Sequence, residues 1–146
     1  KENIPLTLAL SLHAPNDEIR TRIMPIARTY PIENVLEALK EYRERTGRRV
    51  SIEYTLISGT NDHVEHAREL SERLKGIDFH VNLIPLNPVE ERKHETSIPE
   101  DVHRFKKVLE DYGINVTIRR ELGSDISGSC GQLRNRYKSL EKRSVE

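Results

Sequence analysis

The sequence is poor in cysteine, in aromatic residues and in long apolar stretches. Its 146 residues include one cysteine, which cannot form a disulfide within the chain and cannot alone build a metal or iron–sulfur site that needs several thiolates. Apolar runs stay well short of the ~18–20 residues that a membrane span requires, and the start does not resemble a signal peptide. We therefore expect a cytoplasmic protein without membrane contact.

An excess of charge of one sign is also lacking. Lys plus Arg number 24 and Asp plus Glu number 24, which excludes a polybasic protein that binds nucleic acid by bulk charge alone. Hydrophobic residues make up 35% of the chain, a low share for a globular domain. The length corresponds to one domain or to part of one.

Apolar periodicity predicts strands that alternate with helices. Period-2 alternation predicts strands at 6–12, 50–57, 79–84 and 114–118. Helical spacing and capping residues predict one short and three longer helices between them. The resulting order, β-α-α-β-α-β-α-β, is typical of an α/β fold with a parallel sheet.

Short polar residues mark the predicted helix starts. Asn16-Asp17 and Asn61-Asp62 are interpreted as N-caps, because Asn and Asp side chains accept hydrogen bonds from the first free amides of a helix. Ser97-Ile98-Pro99-Glu100 has the pattern of a capping box with an early proline. Gly47 and Gly113 are predicted helix ends.

Two architectures are compatible with this order, an open doubly wound sheet and part of a (β/α) barrel. Both faces of the inner strands should be apolar in an open sheet that has helices on each side. Here Thr7, Ala9 and Ser11 alternate with leucines, and Glu53 lies in the middle of a strand. Small and polar residues on one face favour a barrel wall that lines a ligand cavity. The first strand begins almost at Lys1, so we also expect a chain truncated at its amino end.

Polar side chains follow each predicted strand, where ligands bind in parallel α/β folds. The four strand ends are 11–17, 58–62, 85–88 and 119–121, the last leading into a glycine-rich loop at 123–131. His13 is a candidate ligand, base or hydrogen-bond donor, or else a histidine that caps the strand end. Asn87 lies between two prolines and is a candidate binding residue or a turn asparagine.

Cys130 is flanked by glycine and serine in Ser129-Cys130-Gly131. A thiol in such a loop is accessible, and a helix that follows it would favour the thiolate. The alternative is an inert structural cysteine.

His63 and His66 are interpreted as surface residues, since a pair without a third ligand is a weak metal site. The basic clusters, including Arg48-Arg49 and Arg119-Arg120, are candidates for phosphate contact or ordinary solvated charge.

Four motifs occur together and in order: residues 11–18, 49–54, 80–88 and 130–133, the last reading Cys-Gly-Gln-Leu. Together they resemble the C-terminal half of the radical S-adenosylmethionine RNA methyltransferases, the RlmN/Cfr family. The resemblance covers about residues 5–137. It implies the C-terminal part of a partial (β/α) radical SAM barrel, with residues 1–131 in the barrel and 132–146 as a polar, basic and helical tail.

The resemblance also implies a chemistry. Family members methylate an aromatic carbon of adenine in 23S rRNA, C2 in the RlmN type, and in some bacteria a tRNA adenine as well. The cofactors are S-adenosylmethionine and a 4Fe-4S cluster. By motif match, Ser11, Leu12, His13 and Asn87 are expected to contact S-adenosylmethionine, and Cys130 to carry the methyl group as S-methylcysteine. The resemblance implies no protein partner.

The family's cluster motif, CxxxCxxC, and its second reactive cysteine are missing from a chain with one cysteine. No metal ligand is therefore assigned, and the chain alone is expected to be inactive. Two alternatives to the C2-specific enzyme remain from the sequence. One is a C8-specific enzyme of the Cfr type, and the other is a non-catalytic module that binds S-adenosylmethionine or RNA.

Overall fold

The strands and helices follow the order that the periodicity predicts. The computed structural model describes residues 7–86 and 97–119. Its elements are β1 (Leu8–Ser11), α1 (Asp17–Ile23), a 3-10 turn (Pro25–Arg28), α2 (Ile32–Thr46), β2 (Val50–Leu56), α3 (Val64–Leu74), β3 (Phe79–Pro85), α4 (Pro99–Asp111) and β4 (Asn115–Ile118). The 3-10 turn was not predicted. The tail at 132–146 lies outside the described residues, so the division at residue 131 stays a prediction.

The sheet has the simplest possible topology, because its strands lie in chain order β1-β2-β3-β4. All three pairings are parallel. A doubly wound sheet reverses its strand order and has helices on both faces. Here buried residues of α2, α3 and α4 all join one core cluster with the same face of the sheet. The predicted (β/α) barrel segment is therefore confirmed, and the open doubly wound sheet is excluded for the described part.

The core lies between this face and the helices. Alternate residues of β2 (Val50, Ile52, Tyr54 and Leu56) are fully buried, and they pack with helix residues such as Phe105. Each such side chain contributes about 1.5–3 kcal/mol through its removal from water. The residues between them on β2 point to the opposite, inner face and are half-buried. The period-2 pattern thus divides the sheet into an apolar outer face and a polar inner face.

Local capping signals fix several helix ends. The Asn16 side chain accepts a hydrogen bond from the Ile19 amide at 2.9 Å, which confirms the N-cap of α1. Gly47 ends α2 with a φ of +63°, a left-handed conformation that a residue without a Cβ adopts at no steric cost. The capping box predicted at Ser97 is wrong: Ile98 is the N-cap of α4, and no side chain caps it. Pro99 does occupy the first turn, as predicted.

No helix in the part of the chain that the structure describes combines the length and apolarity that crossing a membrane requires.

Candidate functional site

The predicted binding residues Ser11, Leu12 and His13 lie together at the carboxyl end of β1. Ser11 is exposed on the inner face, His13 is half-buried, and the Leu12 side chain is fully buried in the core. Contact between Leu12 and a ligand would therefore use its main chain. His13 has a φ of +58°, which is a strained backbone conformation for a residue with a Cβ and persists only when its surroundings hold it.

Hydrogen bonds from β2 hold this turn. The Glu53 carbonyl oxygen accepts from the Leu12 amide at 3.0 Å and from the His13 amide at 3.4 Å. The Thr55 amide donates to His13 Nδ1 at 3.0 Å. Because Nδ1 is an acceptor there, the ring proton resides on Nε2. The imidazole thus closes the end of β2, as the capping interpretation of His13 predicts, and its Nε2–H can act as a donor.

Burial favours the neutral form of this imidazole. Burial lowers the pKa of His13, and the Arg20 charge lowers it further, against the opposing effect of Glu53. Because Nδ1 already accepts from the Thr55 amide, the neutral ring presents Nε2–H as a donor and has no free lone pair to offer as a base. His13 therefore offers a donor at the end of β1, and its contact with a ligand stays a prediction.

Acidification is expected to weaken this site through His13. The folded chain has a His13 pKa below the ordinary value of 6.5, so the unfolded chain binds the proton more readily. The contribution of neutral His13 to the free energy of unfolding is fully present above pH 6.5. It is lost as the pH falls through the lowered pKa of His13 in the folded chain. NMR titration of the His13 ring resonances measures this pKa, and a midpoint at or above the ordinary value would contradict the assignment.

The sequence pattern predicted the wrong role for Asn61. It was predicted to cap α3 together with Asp62, but the N-cap is His63 and Asn61 is fully buried. Its Nδ2 donates to the His13 carbonyl oxygen and to the Thr55 carbonyl oxygen, both at 2.7 Å. Its Oδ1 accepts from the Ile57 amide at 2.7 Å. One side chain therefore ties the strained His13 backbone to the end of β2.

Asp62 is also buried and was also misjudged. Its carboxylate accepts from the Gly59 amide at 2.9 Å and from the Ser97 hydroxyl at 2.6 Å. The two hydrogen bonds close the β2–α3 loop and tether it to the start of α4. Ser97 acts in this tether and not as a helix cap, because its hydroxyl meets a buried acceptor across the fold.

Arg20 supports the same turn from the other side. It is 3% exposed, and its Nε donates to the Leu12 carbonyl oxygen at 3.2 Å while Nη1 donates to the Tyr30 carbonyl oxygen at 2.7 Å. A planar guanidinium can hold two carbonyls in fixed directions, which lysine cannot. The one signal in the sequence for this role is that a positively charged residue occupies the buried face of α1.

The inner face continues the site across the sheet. Ser11, Glu53, Asn82 and Thr117 are successive partners in the strand register and form one row. Asn82 Nδ2 donates to the Glu53 carboxylate oxygens at 3.1 and 3.4 Å. The row begins beside the predicted binding turn, so a ligand that contacts Ser11 lies next to the Glu53 carboxylate.

Two predicted site residues, Asn87 and Cys130, lie outside the described residues, as does the loop that carries Cys130. Arg49 and Arg119, from the predicted basic clusters, are exposed. His63 and His66 have ring centroids 5.3 Å apart. Across residues 7–86 and 97–119, no group of three His, Cys, Asp or Glu side chains could hold a metal ion.

A cavity at the opposite, amino end of the strands is distinct from this site. It has a volume of about 480 Å³ and is lined by the C-terminal ends of α2 and α3, including Lys40, Arg43 and Lys75. Two of these cations already form ion pairs, Arg43 with Asp78 and Lys75 with Glu72. The convergent polar groups at the carboxyl ends, and not this cavity, define the candidate site.

Comparison with solved structures identifies the class of fold. A radical SAM methyltransferase from Sphaerobacter thermophilus matches with a TM-score of 0.86 and 45% identity, over 90% of this chain and 39% of that one. A domain of pyruvate-formate lyase-activating enzyme from Bacteroides vulgatus matches in fold, with a TM-score of 0.64 and 21% identity over 78% of this chain and 67% of that one. The chain is a segment of a radical SAM barrel.

Sequence relatives narrow the class. The chain is 57% identical over 137 residues to a probable dual-specificity RNA methyltransferase RlmN of Symbiobacterium thermophilum, across 93% of this chain and 37% of the relative. It is 54% identical over 134 residues to the protein of that name in Lachnospira eligens, across 92% of this chain and 38% of the relative. It is 51% identical over 142 residues to the protein of that name in Staphylococcus aureus, across 97% of this chain and 39% of the relative. No protein-family model matches.

The chain is similar in sequence to part of the RlmN RNA methyltransferases and in fold to part of a radical SAM methyltransferase, in agreement with the resemblance that its four motifs predicted. It spans about two fifths of the length of the curated relatives that it matches.

Proposed function

We propose that the intact protein that contains this chain is a radical SAM methyltransferase that methylates C2 of an adenine in 23S rRNA, and in addition a tRNA adenine. The observation that carries the proposal is identity of 51–57% to relatives named dual-specificity RNA methyltransferases. An enzyme with these substrates would act in the cytoplasm. The polar turn at the end of β1 supports the proposal because it offers an ordered site for a small polar ligand.

The described residues fit S-adenosylmethionine in donor and acceptor chemistry. The Ser11 hydroxyl can donate or accept, the His13 Nε2–H is a fixed donor, and the Glu53 carboxylate is an acceptor with a negative charge. Asn87, from the loop after β3, is proposed to join them. When bound, S-adenosylmethionine supplies the methyl group.

The residues of this chain do not fit a 4Fe-4S cluster. Such clusters are held by several cysteine thiolates, and the chain has one cysteine. The cluster of the intact protein is therefore proposed to be bound by residues outside this sequence, and no role in holding it is assigned to the described side chains.

Cys130 is proposed as the methyl carrier. Carbon C2 of adenine is not nucleophilic and cannot attack a sulfonium methyl group as a base nitrogen would, whereas a thiolate can. The thiolate would attack the methyl carbon of S-adenosylmethionine. A sulfur–carbon bond would form as the sulfonium–methyl bond breaks and S-adenosylhomocysteine leaves, and Cys130 would become S-methylcysteine before the transfer to RNA. The glycines in the sequence around Cys130 suit a residue that must meet two partners in turn.

Mass spectrometry of the Cys130 peptide tests this role. In intact protein isolated without oxygen, we expect a mass increase of one methyl group on that sulfur and 2-methyladenosine in treated RNA. The Cys130→Ala variant is expected to lose RNA methylation entirely while it retains binding of S-adenosylmethionine. Wild-type RNA methylation by that variant would reject the methyl-carrier role. Methylation at C8 in place of C2 would show that the protein has the specificity of the Cfr type.

A further inference from the structure

A continuous chain of hydrogen bonds crosses the inner face of the sheet from a cation to an anion. Arg49 Nη2 lies 3.0 Å from His80 Nδ1, and His80 Nε2 lies 2.9 Å from Thr117 Oγ1. Thr117 Oγ1 lies 3.2 Å from Asn82 Oδ1, and Asn82 Nδ2 lies 3.1 Å from a Glu53 carboxylate oxygen. Five side chains from three strands and the residue before β2 are thus linked in one series.

The direction of this series is fixed by the first donor. A guanidinium has no acceptor, so His80 Nδ1 must accept and its proton must lie on Nε2. Nε2 then donates to the Thr117 hydroxyl, which donates its single proton to Asn82 Oδ1. The Asn82 amide is left with its NH₂ group towards Glu53. Every hydrogen bond therefore points from Arg49 to the carboxylate.

The state of His80 agrees with this direction. Partial burial and the neighbouring Arg49 charge lower the pKa of His80, against the opposing effect of Glu53. A neutral imidazole is the form that can accept from Arg49 and donate to Thr117 at once. Protonation would replace the acceptor with a second donor that faces the guanidinium.

The series ends at a carboxylate beside the candidate site. Glu53 is half-buried on the inner face and is the register partner of Ser11. Its donor in the series is a neutral amide, which orients the carboxylate but does not compensate its charge. The carboxylate is therefore oriented for a positively charged group at the end of β1.

We propose that Glu53 is the counter-charge for the methylsulfonium of S-adenosylmethionine, held in place by Asn82, Thr117 and His80 as positioning residues. This inference rests on the proposed function. The ammonium and carboxylate of the methionine moiety offset each other, so the sulfonium carries the net positive charge of the ligand. RNA phosphates would be repelled by Glu53, which favours the ligand over the nucleic acid as its partner.

Paired binding measurements test the proposal on the intact protein. Calorimetry without oxygen compares S-adenosylmethionine with S-adenosylhomocysteine, which lacks the methyl group and the sulfonium charge. For Glu53→Gln we expect about tenfold weaker binding of S-adenosylmethionine, equivalent to about 1.4 kcal/mol. Binding of S-adenosylhomocysteine should change by less than about twofold, within ordinary surface effects. The matched control is Glu37→Gln, an exposed position on α2, which should alter neither.

A second variant keeps the test independent of Glu53 itself. Valine is similar to threonine in shape, so Thr117→Val breaks the series of hydrogen bonds in its middle. It should weaken binding of S-adenosylmethionine by about threefold, which is less than the loss expected for Glu53→Gln because the Glu53 charge remains. It should leave S-adenosylhomocysteine unaffected. Equal losses for both ligands in Glu53→Gln, or no loss for either, would overturn the counter-charge role. Wild-type protein that binds neither ligand would instead defeat the proposed function, and the inference with it.

Discussion

Replacement of Asn61 by alanine is expected to lower the free energy of unfolding by about 3 kcal/mol or more, because each buried polar group left without a partner costs about 1–3 kcal/mol. Three backbone groups lose their partner at once: the His13 and Thr55 carbonyl oxygens and the Ile57 amide. Asn61 is fully buried, so water cannot replace these hydrogen bonds without a local opening. Denaturant unfolding of the intact protein measures the loss.

The same variant should weaken the binding of S-adenosylmethionine, since the His13 backbone holds its φ of +58° against strain. Without the Asn61 amide, we expect the turn to relax towards an unstrained conformation. The ring Nε2–H of His13 would then no longer point towards the ligand. The matched control is Asn34→Ala, an exposed position on α2, which should change stability by less than about 0.5 kcal/mol. Equal stabilities for Asn61→Ala and this control would show that Asn61 does not hold the turn.

Truncation of Phe105 to alanine is expected to cost about 3–5 kcal/mol of stability, the usual range for a buried aromatic residue. Phe105 is fully buried on α4, and its ring centroid lies 5.2 Å from that of Tyr54. The Tyr54 hydroxyl donates to the Asn61 carbonyl oxygen at 2.8 Å. The cavity left by the substitution therefore adjoins the residue that connects the core to the site.

Thermal or denaturant unfolding of the intact protein checks this prediction. Tyr112→Ala, which removes an aromatic residue that is 40% exposed just after the same helix, is the control and should cost far less. A Phe105→Ala protein within about 1 kcal/mol of wild type would mean that the helix layer does not stabilise the sheet in the way its burial indicates.

The strand and helix order could be predicted because its signals are local. The alternation of apolar and polar residues in β2, with Val50, Ile52 and Tyr54 on one face, is independent of distant parts of the chain. A glycine such as Gly47 ends a helix through its own left-handed φ. The polar residues between the leucines of β1 similarly indicated a barrel wall. The motif that contains Ser11 and His13 carried the family resemblance without any knowledge of contacts.

The roles of the loop polar residues could not be predicted in this way. Asn61 and Ser97 each have the residue type of a helix cap and a position in front of a helix. Their partners in the fold are 48 and 35 residues away in the sequence, His13 for Asn61 and Asp62 for Ser97. A local capping bond is lost when a buried long-range partner would otherwise stay unsatisfied, because that penalty exceeds the value of a cap.

The sequence by itself determined the α/β class, the barrel segment, the family resemblance and the position of the candidate binding turn at the end of β1. Only the tertiary structure decided the proton position on His13, the burial of the Leu12 side chain and the direction of the hydrogen bonds that lead to Glu53. Periodicity and caps depend on neighbours along the chain, whereas a tautomer or an oriented carboxylate depends on donors from other strands. The Thr55 amide that meets His13 is 42 residues away, and only folding brings the two together.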